Sequence, residues 1–274
     1  MEQSMDSSQK KPKPSLLDKH ISYVKNLGNK VEESTQDLIR TREQLRVANL
    51  ELIKQVELFR SFVPKNLSGA LAQENFDVGK GHSQEEIYSV FSCDIRGFTS
   101  ISESVGCTEV FQFLNSFFAV MEPTIRKFSG FVYQYVGDEI MALFNLNEGN
   151  FTDNVVQAAV MLQGKVIPEF NQRRKLNGDS PIDIGIGVNT GSVAVGIAGT
   201  PERMGACAFG TTVNVTARCE SLTKDFNAKI IITDDTYQRL REPDIFSIKS
   251  LGTTSIRNLE SKVPLYEVSP LEEI

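Results

Sequence analysis

Between Ile21 and Phe62 the chain carries no proline and places an apolar residue at every seventh position: Val24, Val31, Leu38, Leu45, Leu52 and Phe59. A second series three residues further on, Leu27, Ser34, Thr41, Ala48, Gln55 and Phe62, mixes apolar, small and polar side chains. Such a repeat lines both series along one seam of a helix, and the seam is buried when a second helix pairs with it. Some forty helical residues would extend roughly 60 Å, longer than a domain of this size can cover, so the expected partner is a second copy of the chain. An amphipathic helix lying on its own domain is the alternative. Pro64 ends the run. The mixed second series leaves the seam weaker than an ideal zipper, and its register would set the separation of any sites that two copies form together.

The rest is long enough for one full domain: 274 residues in all, 40% of them apolar. The 29 Lys and Arg against 35 Asp and Glu leave a net charge of −6. That balance argues against nucleic acid as a partner, because phosphate-backbone binding needs a clustered basic surface. No run approaches the roughly 18 apolar residues of a membrane span, and MEQSMDSSQKKPKPS lacks the apolar segment of a signal peptide, so a cytoplasmic location is expected. Cys93, Cys107, Cys207 and Cys219 form no C-x-x-C pair, and His20 and His82 stand apart, so neither a zinc site nor a disulfide framework is expected.

Four segments follow: a disordered lead-in over 1–20 with Pro12 and Pro14, the paired helix over 21–63, a polar connector over 64–86 with Gly69, Gly79 and Gly81, and a globular domain over 87–274. In that domain Ile87 to Ile95 reads as a buried strand and Thr108 to Ser129 as an apolar helix ended by Gly130. Phe131 to Val136 and Ile140 to Phe144 read as a hairpin across Gly137 and Asp138. A helix over Asn150 to Asn171, capped by Thr152 or Asp153, precedes two β-rich runs around Asn189-Thr190-Gly191. A helix over Thr212 to Asp225, a strand at Lys229 to Thr233 and a β-rich end follow. This order predicts an α+β fold, a ferredoxin-like split βαβ sandwich with helices covering one sheet face.

Two carboxylates stand where strands stop: Asp94 at the end of the first strand and Asp138 in the hairpin turn, 44 positions later. A sandwich of this order sets the first strand beside the hairpin, so the two side chains can converge. Hard divalent ions favour such a pair completed by substrate phosphates, the arrangement of two-metal phosphoryl chemistry. Each Asp taken singly is equally well read as a turn or capping residue. In TTVNVTARCE, Asn214 and Arg218 lie four apart and share a helix face, an amide and a guanidinium suited to a sugar and a phosphoryl group. No P-loop occurs, and GIGVNTG lacks the dinucleotide-binding glycine spacing.

Four blocks in order, SVFSCDIRGFTSISE, YQYVGDEIMALF, GIGVNTGSVAVGIAG and FGTTVNVTARCESL, resemble the catalytic domain of the class III purine nucleotide cyclases, the adenylyl and guanylyl cyclases. The resemblance covers roughly Ile87 to Val268, and FVPKNL resembles a common lead-in to these domains. It implies a head-to-tail homodimer with two sites at the interface, each converting ATP or GTP to the 3′,5′-cyclic monophosphate and pyrophosphate as a second messenger. By position, Asp94 and Asp138 would hold two Mg²⁺ or Mn²⁺, with the Ile95 carbonyl as a further ligand. Asn214 and Arg218 of the other subunit would orient the ribose and stabilise the α-phosphate. The backbone of Gly97, Phe98 and Thr99 would lie along the triphosphate, with Arg203 and Arg257 as further phosphate contacts.

The purine-reading positions depart from both family patterns. Adenine-specific members usually carry Lys four residues before the hairpin Asp and Asp or Thr seven before the Asn; guanine-specific members tend to carry Glu and Cys. Here the pair is Gln134 and Cys207. A Gln amide both donates and accepts, so it can pair with either purine edge. Two other readings stay open at this point: a non-catalytic nucleotide- or partner-binding module on the same fold, and a diguanylate cyclase, which the G-D-E of the hairpin resembles without the full G-G-D-E-F string.

Overall fold

The computed structural model describes residues 15–61, 82–146, 151–200, 202–256 and 262–271. By internal contacts the chain divides into two units, Met1–Phe59 and Arg60–Ile274. Helix α1 spans Leu16–Ser61, 46 residues, and accounts for all the described residues of the first unit but Ser15. It starts ahead of the heptad series because Ser15 and Asp18 form a reciprocal cap: the Asp18 N–H donates to the Ser15 hydroxyl at 3.2 Å and the Ser15 N–H to the Asp18 carboxylate at 3.0 Å. Val24, Leu27, Val31, Leu38, Leu45 and Leu52 are all exposed on it. Among the described residues no helix is long and apolar enough to cross a membrane.

The second unit is built on one sheet of eight strands in the order β2-β3-β1-β4-β6-β8-β7, with β5 pairing β4. In chain order its elements are β1 (His82–Ile95), α2 (Phe98–Ser104), α3 (Cys107–Lys127), β2 (Gly130–Val136), β3 (Glu139–Asn145) and α4 (Thr152–Met161). A π-helical turn (Leu162–Val166) leads into α5 (Ile167–Leu176). Then come β4 (Ile184–Thr200), β5 (Arg203–Phe209), α6 (Thr211–Asp225), β6 (Ile230–Thr233), α7 (Asp234–Tyr237), β7 (Phe246–Ser255) and β8 (Lys262–Pro270). The β4–β6 pair is parallel, and every other pair is antiparallel. The fold is thus the expected mixed α+β sandwich.

Alternation along the strands decides what covers each face. Phe91, Cys93 and Ile95 of β1 with Ile184, Ile186 and Val188 of β4 point to one side, where they bury Phe117, Met121 and Ile125 of α3 together with α4 and α5. The expectation that helices cover one face only does not hold, because α6 covers the other. There β4 carries Gly185, Gly187 and Gly191, and α6 lies directly on that row: a Cβ on Gly187 would stand 2.3 Å from the Glu220 backbone nitrogen and 2.5 Å from the Thr216 carbonyl oxygen. Without those side chains helix backbone meets strand backbone.

Three local expectations change. β4 runs unbroken through Asn189-Thr190-Gly191, paired to Val90, Ser89 and Tyr88. The Asn189 amide is used inward instead of in a turn, donating to the Thr212 carbonyl at 3.1 Å and accepting from the Thr233 hydroxyl at 2.6 Å. Asp153 does not cap its own helix; its buried carboxylate accepts from the N–H groups of Arg241 and Glu242 at 3.1 and 2.9 Å. The helix expected to end at Asn171 continues to Leu176, and its widened turn directly precedes Pro168, whose ring and missing N–H cannot follow regular α geometry.

Candidate active site

β1 and β3 run antiparallel with Cys93 opposite Ile140, so Asp94 and the Gly137-Asp138 turn come to the same end of the sheet. Gly137 takes the left-handed conformation the turn needs, with φ of 64°. The Ile95 N–H donates to the Asp138 carboxylate at 3.1 Å. Burial, and next the neighbouring Asp94 carboxyl, push the Asp138 carboxyl up to about 7. Two carboxyl groups this close share a proton unless a cation separates them. A half-buried pair of oxygen donors at a strand end therefore fits Mg²⁺ or Mn²⁺, with phosphate oxygens completing the shell.

The loop after Asp94 turns at once. Gly97 has φ of 71° and its carbonyl accepts from the N–H of Ser100 at 3.1 Å. The Phe98 ring belongs to the core, stacked on Phe113 with centroids 6.3 Å apart, which leaves only its backbone to face a ligand. Thr99 is exposed. Arg96, which sequence reasoning passed over, ties this loop to the far end of α6: its guanidinium donates to the Ala228 carbonyl at 2.5 Å and lies 3.5 Å from Asp183.

Asn214 and Arg218 are both exposed on α6, one turn apart, while Val213, Val215, Thr216 and Cys219 between and around them are buried. Their surroundings connect them to Gln134 and Cys207. Tyr133 of β2 and Val213 of α6 share one small core with Ala208 of β5 packed against it. Each is the sequence neighbour of a candidate: Gln134, Asn214 and Cys207. A bulge at Tyr133 puts Gln134 opposite Met141, on the sheet face that holds this core. The Cys207 thiol is partly buried. Arg203 is exposed where β5 begins, opposite Thr200. Arg257 lies outside the described residues.

Two further groups, both on α6, belong to the acidic end and carried no motif signal. Glu220 is only 5% exposed, and its Oε1 is a buried oxygen with no hydrogen-bond partner. Burial and the neighbouring Asp94 charge push it up to about 7. Lys224, one turn on, places Nζ 3.6 Å from Asp94 Oδ2. An i,i+4 Glu-Lys pair on a helix ordinarily reads as a solvated face, which is why the sequence did not mark it.

The model of the adenylate and guanylate cyclase catalytic domain matches residues 81–269. An adenylate cyclase of Anabaena cylindrica is 34% identical over 82% of this chain and 45% of its own length. The chain spans less than half of that relative, and smaller shares of related proteins from Dictyostelium discoideum and Rhizobium meliloti, 10% and 31%. The guanylyl cyclase Cya2 superposes with a TM-score of 0.60 at 29% identity, covering 68% of this chain and 93% of that one. A bacterial light-regulated adenylyl cyclase, at 21% identity, shares the fold with a TM-score of 0.69 over 82% of this chain and 64% of its own.

Proposed function

Because the chain belongs to the adenylate and guanylate cyclase catalytic-domain family, we propose that it converts a purine nucleoside triphosphate to its 3′,5′-cyclic monophosphate and pyrophosphate, for second-messenger signalling. The observation that carries this reading is the convergence of Asp94 and the Asp138 turn at one end of the sheet, where the Ile95 N–H donates to Asp138, a pair of oxygen donors suited to a divalent cation. Mg²⁺ or Mn²⁺, two per site, would be held by Asp94, Asp138 and the Ile95 carbonyl and would supply Lewis-acid activation of the 3′-hydroxyl and neutralisation of the phosphates.

The remaining work falls to the chain's own groups. The exposed Asn214 amide orients the ribose so that its 3′-oxygen lies in line with the α-phosphorus, and the Arg218 guanidinium offsets charge on the α-phosphoryl oxygens as pyrophosphate departs. Backbone N–H groups of the Gly97-Phe98-Thr99 bend face the triphosphate, with Arg203 and Arg257 as outer phosphate contacts. Gln134 and Cys207 read the purine edge; both ATP and GTP remain candidate substrates, in keeping with relatives of both names.

Solvent-facing Asn214 and Arg218 fit a site completed across a two-fold axis, the acidic end of one protomer meeting α6 of its mate. Exposed apolar side chains on the catalytic unit support such a partner: Phe209 is 64% exposed, Val136 49% and Met204 45%. The unpartnered seam of α1 supplies a second contact that raises the effective concentration of the two halves. The direct test is incubation with Mn²⁺ and ATP or GTP. Cyclic product that disappears in Asp94→Asn and Asp138→Asn is expected; product formation unaffected by either substitution refutes the assignment, and absence of product from both nucleotides favours the non-catalytic binding module.

A further inference from the structure

The acidic end of the site already holds a cation of the protein's own. Asp94 and Gly185 are direct partners across β1 and β4, so Cβ positions at the two residues share one sheet face. Glycine at 185 leaves that space open, and Glu220 enters it: a Cβ there would stand 2.7 Å from Glu220 Oε1. This oxygen is buried without a hydrogen-bond partner, on the Asp94 side of the sheet. Lys224, four residues further along α6, directs its ammonium to Asp94 Oδ2 at 3.6 Å. The lysine thus pairs one carboxylate and lies one helical turn from a second, whose Oε1 has no hydrogen-bond partner.

From this geometry we infer that Lys224 is a built-in competitor for the divalent cation: its ammonium neutralises Asp94 in the metal-free protein and must leave when metal binds, with Glu220 as its alternative seat. The inference rests on the reading of Asp94 as a metal ligand. It makes Lys224 a positioning and gating residue, touching neither nucleotide nor reacting atoms. A half-exposed lysine can move at small cost, since an ion pair of this kind is held only weakly. The same helix presents Asn214 in its first turn and Arg218 at its middle.

The test is Mn²⁺ binding to the full chain without nucleotide, read from the electron paramagnetic resonance signal of free Mn²⁺. Lys224→Met, which keeps the aliphatic stem and removes the charge, should tighten Mn²⁺ binding about fivefold, the size expected for one screened unit charge near 4 Å. Lys224→Arg, which keeps the charge, should stay within about twofold of the parent protein on the same grounds. In a Lys224→Met background, Glu220→Gln should lose most of the effect it has on Mn²⁺ affinity in the parent, because a seat for the lysine no longer matters. Unchanged or weaker binding in Lys224→Met, or equal tightening in Lys224→Arg, overturns the competition. Asp94→Asn separates this from the parent reading. If it abolishes Mn²⁺ binding while Lys224→Met does not tighten it, only the competition falls; if it leaves Mn²⁺ binding intact, the metal assignment and the competition fall together.

Discussion

Mixing two dead variants should restore activity to a calculable level. Asp94→Asn removes a carboxylate at the β1 end, and Arg218→Ala removes the guanidinium on α6; each homodimer then has two broken sites. In a head-to-tail dimer of the two variants, one site takes both lesions and the other takes neither, because Asp94 of one chain serves the site that uses Arg218 of its mate. Random pairing makes half the dimers mixed, and one of two sites in each is intact, so about one quarter of parental activity is expected. Coexpression at equal levels, or mixing with time for exchange, followed by a cyclic nucleotide assay at saturating Mn²⁺ and substrate, measures it. Varying the ratio should trace a parabola with its maximum at equal amounts. Asp94→Asn mixed with Asp138→Asn must stay inactive, since both lesions lie on the same half. A mixture of Asp94→Asn and Arg218→Ala no more active than its parts would mean that the acidic pair and the Asn/Arg pair do not meet across two chains.

Asp138 is raised from the ordinary 3.8 to about 7 in the folded metal-free protein, so the folded state binds the extra proton between those values. Metal-free stability should then fall as pH rises from about 4 to 7, by about 1 kcal/mol once solvent screening of a half-buried group is allowed for; calorimetry in EDTA should show this slope flattened in Asp138→Asn and reversed by Mn²⁺. Gln134→Lys and Gln134→Glu should move the ATP:GTP preference in opposite directions in a competition assay, and an identical ratio in all three proteins would remove Gln134 from the pocket. Gly187→Ala should cost about 3 kcal/mol, lowering Tm by roughly 6–12 °C, because the new methyl meets helix backbone that cannot yield. One residue inserted near Thr41 rotates the α1 seam by about 100°; cyclase output should change, and unaltered output would detach the helix from regulation.

Much of the catalytic unit was legible because its strands alternate or run apolar and its turns carry glycine. The Gly137-Asp138 hairpin and the helix ending at Asp225 follow from local signals. What stayed hidden depends on groups distant in sequence. Asn189-Thr190-Gly191 has turn composition, yet Thr212 and Thr233 occupy the asparagine's hydrogen bonds and keep the strand straight. β5 was missed because RMGACAF has little alternation and gains its place by pairing with β4. At the site, Asp94, Asp138, Asn214 and Arg218 stand in recognisable strings. Arg96, Glu220 and Lys224 do not, since their meaning comes from a helix crossing a glycine row.

That crossing has a mechanical consequence. With no side chain cushioning the contact over Gly187, the helix and the sheet form a stiff unit bearing acidic groups at one end and the Asn/Arg pair along its outer side. In a symmetric dimer each such unit contributes to both pockets, so a displacement of one protomer opens or closes the two pockets at the same time. If the protein works as such a dimer, control of a single pocket on its own would be foreign to it, and a signal reaching the dimer would act on the pair as a whole.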